Sequence, residues 1–109
     1  MSATLPPPLA AYFAATNTHD LTAMIAAFAE GAVVKDEGRE HRGLQAIREW
    51  MEETTRKYQF TVEVTDVAET EGKTVVTGLV AGTFPGSPVR LRHAFTLDRD
   101  KIAHLEIDS

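Results

Sequence analysis

The sequence predicts a single α+β domain in which helices come early and a run of antiparallel strands comes late. Apolar residues recur at helical spacing up to Tyr58, and from Phe60 onward they alternate with polar residues. Short turn motifs separate the alternating segments. This order of elements is typical of α+β folds rather than of repeated βαβ units. A length of 109 residues favours one domain over residues 1–109.

Two helices are expected first. Residues 6–8 are prolines, which suit the first turn of a helix, so helix one should run from there to about Asn17. Asp20 is a plausible N-cap for helix two, and Gly31 is expected to end it. The apolar residues are Leu9, Tyr12, Phe13 and Thr16 along helix one, and Leu21, Met24, Ile25 and Phe28 along helix two.

Two short strands and the longest helix should follow. Residues 32–35 and 40–42 predict the strands, joined by a turn at residues 36–38. Gly43 opens the third helix, which has one broad apolar face and a charged opposite face. That apolar face contains Leu44, Ile47, Trp50, Met51 and Tyr58.

The second half reads as four strands. Apolar residues alternate from Phe60 to Val64 and then shift phase to Val67, which indicates a bulge. Turns are expected at residues 71–72, 85–88 and 98–100, with strands over 74–84 and 102–107 on either side of a central strand. One face of the central strand carries Val89, Leu91, His93, Phe95 and Leu97.

The strand at residues 74–84 is apolar on both faces. Three helices can cover only one face of the sheet, so a second copy of the chain is expected on the outer face, giving a homodimer.

Composition excludes several functions. The net charge is −5 and the basic residues are scattered, which argues against nucleic-acid binding. There are no cysteines, so thiolate catalysis and sulfur-ligated zinc are excluded. No apolar run is long enough to span a membrane and no secretory signal is evident, so a cytoplasmic location is expected. Neither the spacing of the four histidines nor any glycine-rich motif indicates a metal or a cofactor.

Nearly the whole chain resembles the SnoaL-like branch of the nuclear transport factor 2-like superfamily. The resemblance is carried by residues 21–34 (LTAMIAAFAEGAVV), 36–38 (DEG), 41–50 (HRGLQAIREW) and 82–107. It implies a cone-shaped, strongly curved antiparallel sheet wrapped around the long helix, with two further N-terminal helices. The open end of such a cone is a usual place for an apolar pocket.

Within this superfamily the pattern resembles that of ketosteroid isomerase, an enzyme whose surroundings shift the pKa values of its carboxyl groups. Tyr12 matches its helix-one tyrosine and Asp36 matches its aspartate base. His93 stands where that family has a carboxylic acid. The resemblance implies that Asp36 removes a proton beside a carbonyl while Tyr12 and His93 donate hydrogen bonds to the oxygen.

Each of these residues also has a structural interpretation. Asp36 at the rim of an apolar core would be a stronger base, but aspartate also commonly starts a turn. His93 faces the apolar side, where it is either a ligand contact or a core histidine with a backbone partner. Tyr12 either donates into the pocket or belongs to the helix-one stripe. Candidate wall residues that could equally be core are Trp50, Phe28, Tyr58, Phe60 and Phe95.

Three functions remain open at this point. The first is an isomerase- or cyclase-type enzyme that acts on a small apolar or carbonyl-containing ligand. The second is a binding module without turnover, and the third is a dimerisation domain with a filled core. Fold class alone does not decide among them.

Overall fold

The computed structural model describes residues 5–108, which form three helices and six strands in the predicted order. The predicted fold class is confirmed. The elements are α1 (Pro7–Asn17), α2 (Leu21–Ala26), β1 (Phe28–Asp36), β2 (Arg39–Arg42), α3 (Leu44–Tyr58), β3 (Thr61–Thr70), β4 (Lys73–Ala81), β5 (Val89–Asp98) and β6 (Lys101–Asp108). Within this part of the chain, no helix combines the length and apolarity needed to cross a membrane. The cytoplasmic location stays a prediction.

The six strands form one open, curled sheet in the order β2-β1-β6-β5-β4-β3. All neighbouring pairs are antiparallel except β1 and β6, which are parallel. The expectation of a wholly antiparallel sheet is therefore wrong at this one pair. The bulge expected in β3 is present, since the register shifts between Val64 and Asp66.

Helix two is shorter than the sequence predicts. It ends at Ala26, and Phe28 and Gly31 already belong to β1. The reason is pairing with the last strand, because Phe28 lies opposite Ile102, whose N–H donates to the Ala27 carbonyl at 2.8 Å. Asp20 caps the helix as expected, with its side chain accepting from the Ala23 N–H at 3.1 Å.

The core lies between the inner face of the sheet and the helices. Leu9 of α1, Ile47 and Met51 of α3, and Phe95 and Leu105 of the sheet are all fully buried. This packing holds α1 and α3 over the curled sheet.

The turn after α1 is joined to the edge strand β3. The Asn17 side chain donates to the Val62 carbonyl at 2.9 Å and accepts from the Val62 N–H at 2.7 Å. In the same turn, a ring nitrogen of His19 lies 2.9 Å from the Phe60 carbonyl. These contacts fix the end of α1 against the start of β3.

Candidate functional site

A cavity of about 690 Å³ opens between α1, α3 and the inner face of the sheet. Its walls are largely apolar, and this volume lies in the range of ordinary small-molecule pockets. Acidic side chains, Asp36, Glu37 and Asp108, lie along it, and no lysine or arginine of residues 5–108 lines it. The aromatic lining residues are Tyr12, Phe13, Trp50, Tyr58, Phe60 and Phe84.

Six of the eight residues singled out from the sequence meet at this cavity, namely Tyr12, Asp36, Trp50, Tyr58, Phe60 and His93. Phe28 and Phe95 are not among its lining residues. Both are buried behind Tyr12, and each ring lies edge-to-face with the Tyr12 ring at a centroid distance of 5.7 Å. They support Tyr12 from the core side.

Asp36 is the last residue of β1, at the point where the strand leaves the core. Its Oδ2 accepts a hydrogen bond from Nε1 of Trp50 at 3.0 Å. Loss of solvent raises the pKa of this carboxyl above its usual value, and the Trp50 bond opposes that rise only in part. The side chain is thus held by Trp50 and is more basic than an ordinary aspartate.

Tyr12 projects from α1 into the same cavity. Burial raises the pKa of its hydroxyl well above the usual value, and the negative charge of Asp36 adds to the rise. The nearby Thr16 hydroxyl acts in the opposite direction, but it donates its own proton to the Tyr12 backbone carbonyl at 2.8 Å. Tyr12 is therefore protonated at neutral pH and can donate a hydrogen bond.

His93 lies on β5 with only 4% of its surface exposed. Its ring contacts Phe13 at 5.4 Å and stacks on Phe95 at 6.3 Å between centroids. Nδ1 lies 3.2 Å from the Val76 carbonyl of β4. Burial lowers the pKa of His93 to about 4, so the ring is neutral at pH 7.

This geometry changes the expected role of His93. A carbonyl oxygen only accepts, so Nδ1 must carry the single proton of the neutral ring. Nε2 then has a lone pair and cannot donate to a substrate oxygen. The donor role expected from the sequence does not fit this arrangement.

Some features of the site were missed in the sequence. Trp50 was expected as a wall, whereas its indole N–H also binds Asp36. Asp108 was not singled out from the sequence, yet it lines the cavity, and its carboxylate lies 3.4 Å from Arg92. No sequence pattern reveals either contact, because each depends on how separate elements meet. Within residues 5–108, no group of three histidine or acidic side chains is placed to hold a metal.

An open curled sheet with a mostly apolar cavity and a few polar groups is typical of small-molecule pocket proteins. The model of the SnoaL-like domain family matches residues 9–105, and the chain belongs to this family. The resemblance noted in the sequence is confirmed.

Several solved structures share the fold. A candidate polyketide cyclase from Sinorhizobium meliloti is 38% identical over 95% of each chain, with a TM-score of 0.92. A candidate polyketide cyclase from Pseudomonas putida is 20% identical, with coverage of 99% of this chain and 92% of the other and a TM-score of 0.82.

A protein with a ketosteroid isomerase-like fold from Catenulispora acidiphila, solved with trimethylamine, is 18% identical over 97% of this chain and 87% of its own. Its TM-score is 0.84. No curated protein sequence matches the chain significantly.

Proposed function

We propose that this protein is an isomerase- or cyclase-type enzyme that removes a proton next to a carbonyl of a small apolar substrate. The observation that carries the proposal is the position of Asp36. This carboxylate has a raised pKa and lines an aromatic cavity that Tyr12 also lines. A base with a pKa closer to neutral is the more effective proton acceptor.

In the proposed reaction, the substrate carbonyl accepts a hydrogen bond from the Tyr12 hydroxyl. The Asp36 oxygen that Trp50 does not hold takes the proton from the adjacent carbon, and the electron pair moves into an enolate. Where the substrate carries a C=C bond next to that carbon, Asp36 then returns the proton to the far carbon of the bond, which is isomerisation. Alternatively the enolate carbon attacks a second carbonyl, whose oxygen becomes an alkoxide and takes the proton back from Asp36, which is cyclisation. Donors aimed at the developing negative charge lower the barrier to the first step.

Deuterium exchange tests the reaction without knowledge of the natural substrate. 2-Tetralone in D₂O carries exchangeable protons beside its carbonyl, and proton NMR follows their loss. We expect the protein to accelerate exchange over buffer and Asp36→Asn to remove about 10²- to 10⁴-fold of that acceleration. Asn retains an oxygen for the Trp50 N–H, so the variant should fold. Equal exchange rates for wild type and variant would refute Asp36 as the base.

The second candidate is a binding module without turnover. The acidic lining favours it with basic ligands, because Glu37 would attract a protonated amine and repel an anion, whereas the charge of Asp108 is already paired with Arg92. The Catenulispora relative holds such an amine, trimethylamine. Binding of the ketone without accelerated exchange would favour this candidate over the enzyme.

We also propose that a second copy of the chain covers the outer face of the sheet. Val75, Leu79 and Ala94 are each only half-buried, on the face opposite the buried Val76 and Val80. A second copy would cover these side chains and complete their burial. Light scattering after size exclusion should give a dimer, and Leu79→Lys should give a monomer. A wild-type monomer at every concentration would contradict the proposal.

A further inference from the structure

His93 is a buried polar side chain that the proposed reaction does not use. It lies opposite Val76 across the β4–β5 pair and borders the cavity. Gly78 lies nearby, where a methyl group would be at ordinary contact distance from the imidazole Cε1, 3.7 Å, but would clash with the Val62 Cγ1 at 2.6 Å. Close packing against Val62, rather than against the ring, therefore requires glycine at this position.

The hydrogen bonds of the ring define what it offers to a ligand. Nδ1 is occupied by the Val76 carbonyl. By distance and angle, Val76 is the one hydrogen-bond partner of the His93 ring within residues 5–108, although the Leu91 backbone also lies near enough to raise the pKa of the ring. No sealed side-chain nitrogen or oxygen in this part of the chain lacks a partner. Nε2 is therefore not sealed in the core, and the open space beside it is the cavity. A neutral imidazole with its proton on Nδ1 presents a lone pair at Nε2.

We propose that Nε2 of His93 accepts a hydrogen bond from a hydroxyl or N–H group of the ligand, so that the cavity selects a molecule with an apolar ring skeleton and one such donor. This inference rests on the proposed function only in taking the cavity as a ligand site, and it does not require Asp36 to act as a base. It excludes a carboxylate at this position, because two lone pairs would face each other. The negative charge of Glu37, which also lines the cavity, disfavours anions as well.

The surroundings of His93 make the site selective for a hydrogen-bond donor. Phe13 and Phe95 border the imidazole. A ligand with a methyl ether in place of the hydroxyl would therefore leave Nε2 surrounded by apolar atoms and without a hydrogen-bond partner. A buried acceptor without a partner is costly, which is the usual source of strong discrimination at polar positions of a pocket.

Three probes on one bicyclic skeleton test the proposal: 5-indanol, 5-methoxyindane and indane-5-carboxylate. Calorimetry gives their affinities, and NMR of the indole N–H of Trp50 confirms binding at the cavity, since the chain has a single tryptophan. We expect 5-indanol to bind about tenfold more tightly than 5-methoxyindane, which is the usual net value of one hydrogen bond. The carboxylate should bind most weakly.

The matched variant is His93→Asn. Its side-chain amide can take the position of Nδ1 and donate to the Val76 carbonyl, but nothing replaces Nε2. The preference for 5-indanol over 5-methoxyindane should fall to within about twofold, while binding of 5-methoxyindane changes little. An unchanged preference in this variant overturns the proposal, as does equal binding of the two probes by wild type.

Nitrogen NMR of the wild-type ring is a readout that does not depend on any variant. It should show the proton on Nδ1 in the free protein and a change at Nε2 when 5-indanol binds. A proton on Nε2 would overturn the proposal.

The outcomes separate this inference from the proposed reaction. A hydroxyl preference without ketone exchange refutes the enzyme and keeps the inference. Exchange that depends on Asp36 without a hydroxyl preference does the reverse. Failure of all three probes to bind overturns the inference.

Discussion

Burial of His93 predicts a specific loss of stability in acid. The pKa of its ring is about 4 in the folded protein and 6.5 for the ordinary side chain. The unfolded chain therefore binds the proton more readily, and the folded state loses stability as the pH falls from 6.5 through 4. Each pKa unit corresponds to 1.36 kcal/mol, so the loss amounts to about 3 kcal/mol below pH 4. Above pH 6.5 the ring is neutral in both states and this effect is absent.

The comparison variant is again His93→Asn, which removes the titrating ring and can keep the bond to Val76. Urea unfolding, followed by Trp50 fluorescence at a series of pH values, gives the free energy of unfolding for both proteins. Between pH 6.5 and 4.5, wild type should lose about 2 to 3 kcal/mol more than the variant. Asp36 also titrates in acid, but it is present in both proteins and its effect cancels in the difference.

The free energies of unfolding of the two proteins, plotted against pH, test whether burial keeps the His93 ring neutral. If the difference between them is constant from pH 7 to pH 4, the ring is not held neutral by burial. The lone pair assigned to Nε2 would then lose its basis, because a doubly protonated ring donates from both nitrogens.

Three further changes follow from single contacts. Trp50→Phe removes the bond that stabilises the charged form of Asp36, so the pKa of that carboxyl should rise, and carbon NMR of the carboxyl across pH would detect it; a fall would contradict the role assigned to Trp50. Asn17→Ala breaks both bonds to Val62 and should cost about 1 to 2 kcal/mol in urea unfolding, whereas no change would mean that the turn is not held by these bonds. Gly78→Ala places a methyl group 2.6 Å from Val62 Cγ1 and should lower the free energy of unfolding by about 1 to 3 kcal/mol. This penalty should largely vanish in a Val62→Ala background, and equal penalties in both backgrounds would rule out the clash.

Local patterns predicted those parts of the fold that depend on neighbours in sequence. A few residues of sequence are enough to recognise the apolar face of α3 and the N-cap at Asp20. The same holds for the phase shift that becomes the bulge after Val64. These features are visible because helix and strand periodicities are properties of short segments.

Contacts between distant segments could not be predicted. Phe28 continues a helical spacing, yet it pairs with Ile102 and starts β1. The parallel pairing of β1 with β6 has the same origin, because it joins the first strand to the last. Tertiary pairing outweighs local helix propensity in such cases.

The candidate site shows the same division. Its residue types were visible in the sequence, since Asp36 follows a strand and His93 lies in phase with apolar neighbours. Their roles were not visible, because the state of His93 depends on the carbonyl of Val76 across the β4–β5 pair. The bond from Trp50 to Asp36 likewise depends on how α3 packs against the end of β1.

The small number of free donors in the cavity restricts what the proposed enzyme can activate. Thr16 and Thr54 each donate to a backbone carbonyl of their own helix, the Trp50 N–H is held by a carboxylate, and His93 Nε2 only accepts. Among the described lining side chains this leaves the hydroxyls of Tyr12 and Tyr58. The charge of Asp36 acts on Tyr12, so Tyr12 is the donor expected to face an enolate oxygen beside that base, and one such donor contributes about 3 to 4 kcal/mol. A simple ketone needs more stabilisation than this, whereas a 1,3-dione, or a ketone whose enolate is conjugated with an aryl ring, delocalises the charge itself. We therefore expect accelerated exchange for 2-tetralone and for 1,3-indandiones that carry an exchangeable proton, and little for cyclohexanone. Equal acceleration of cyclohexanone would mean that a further donor reaches the oxygen.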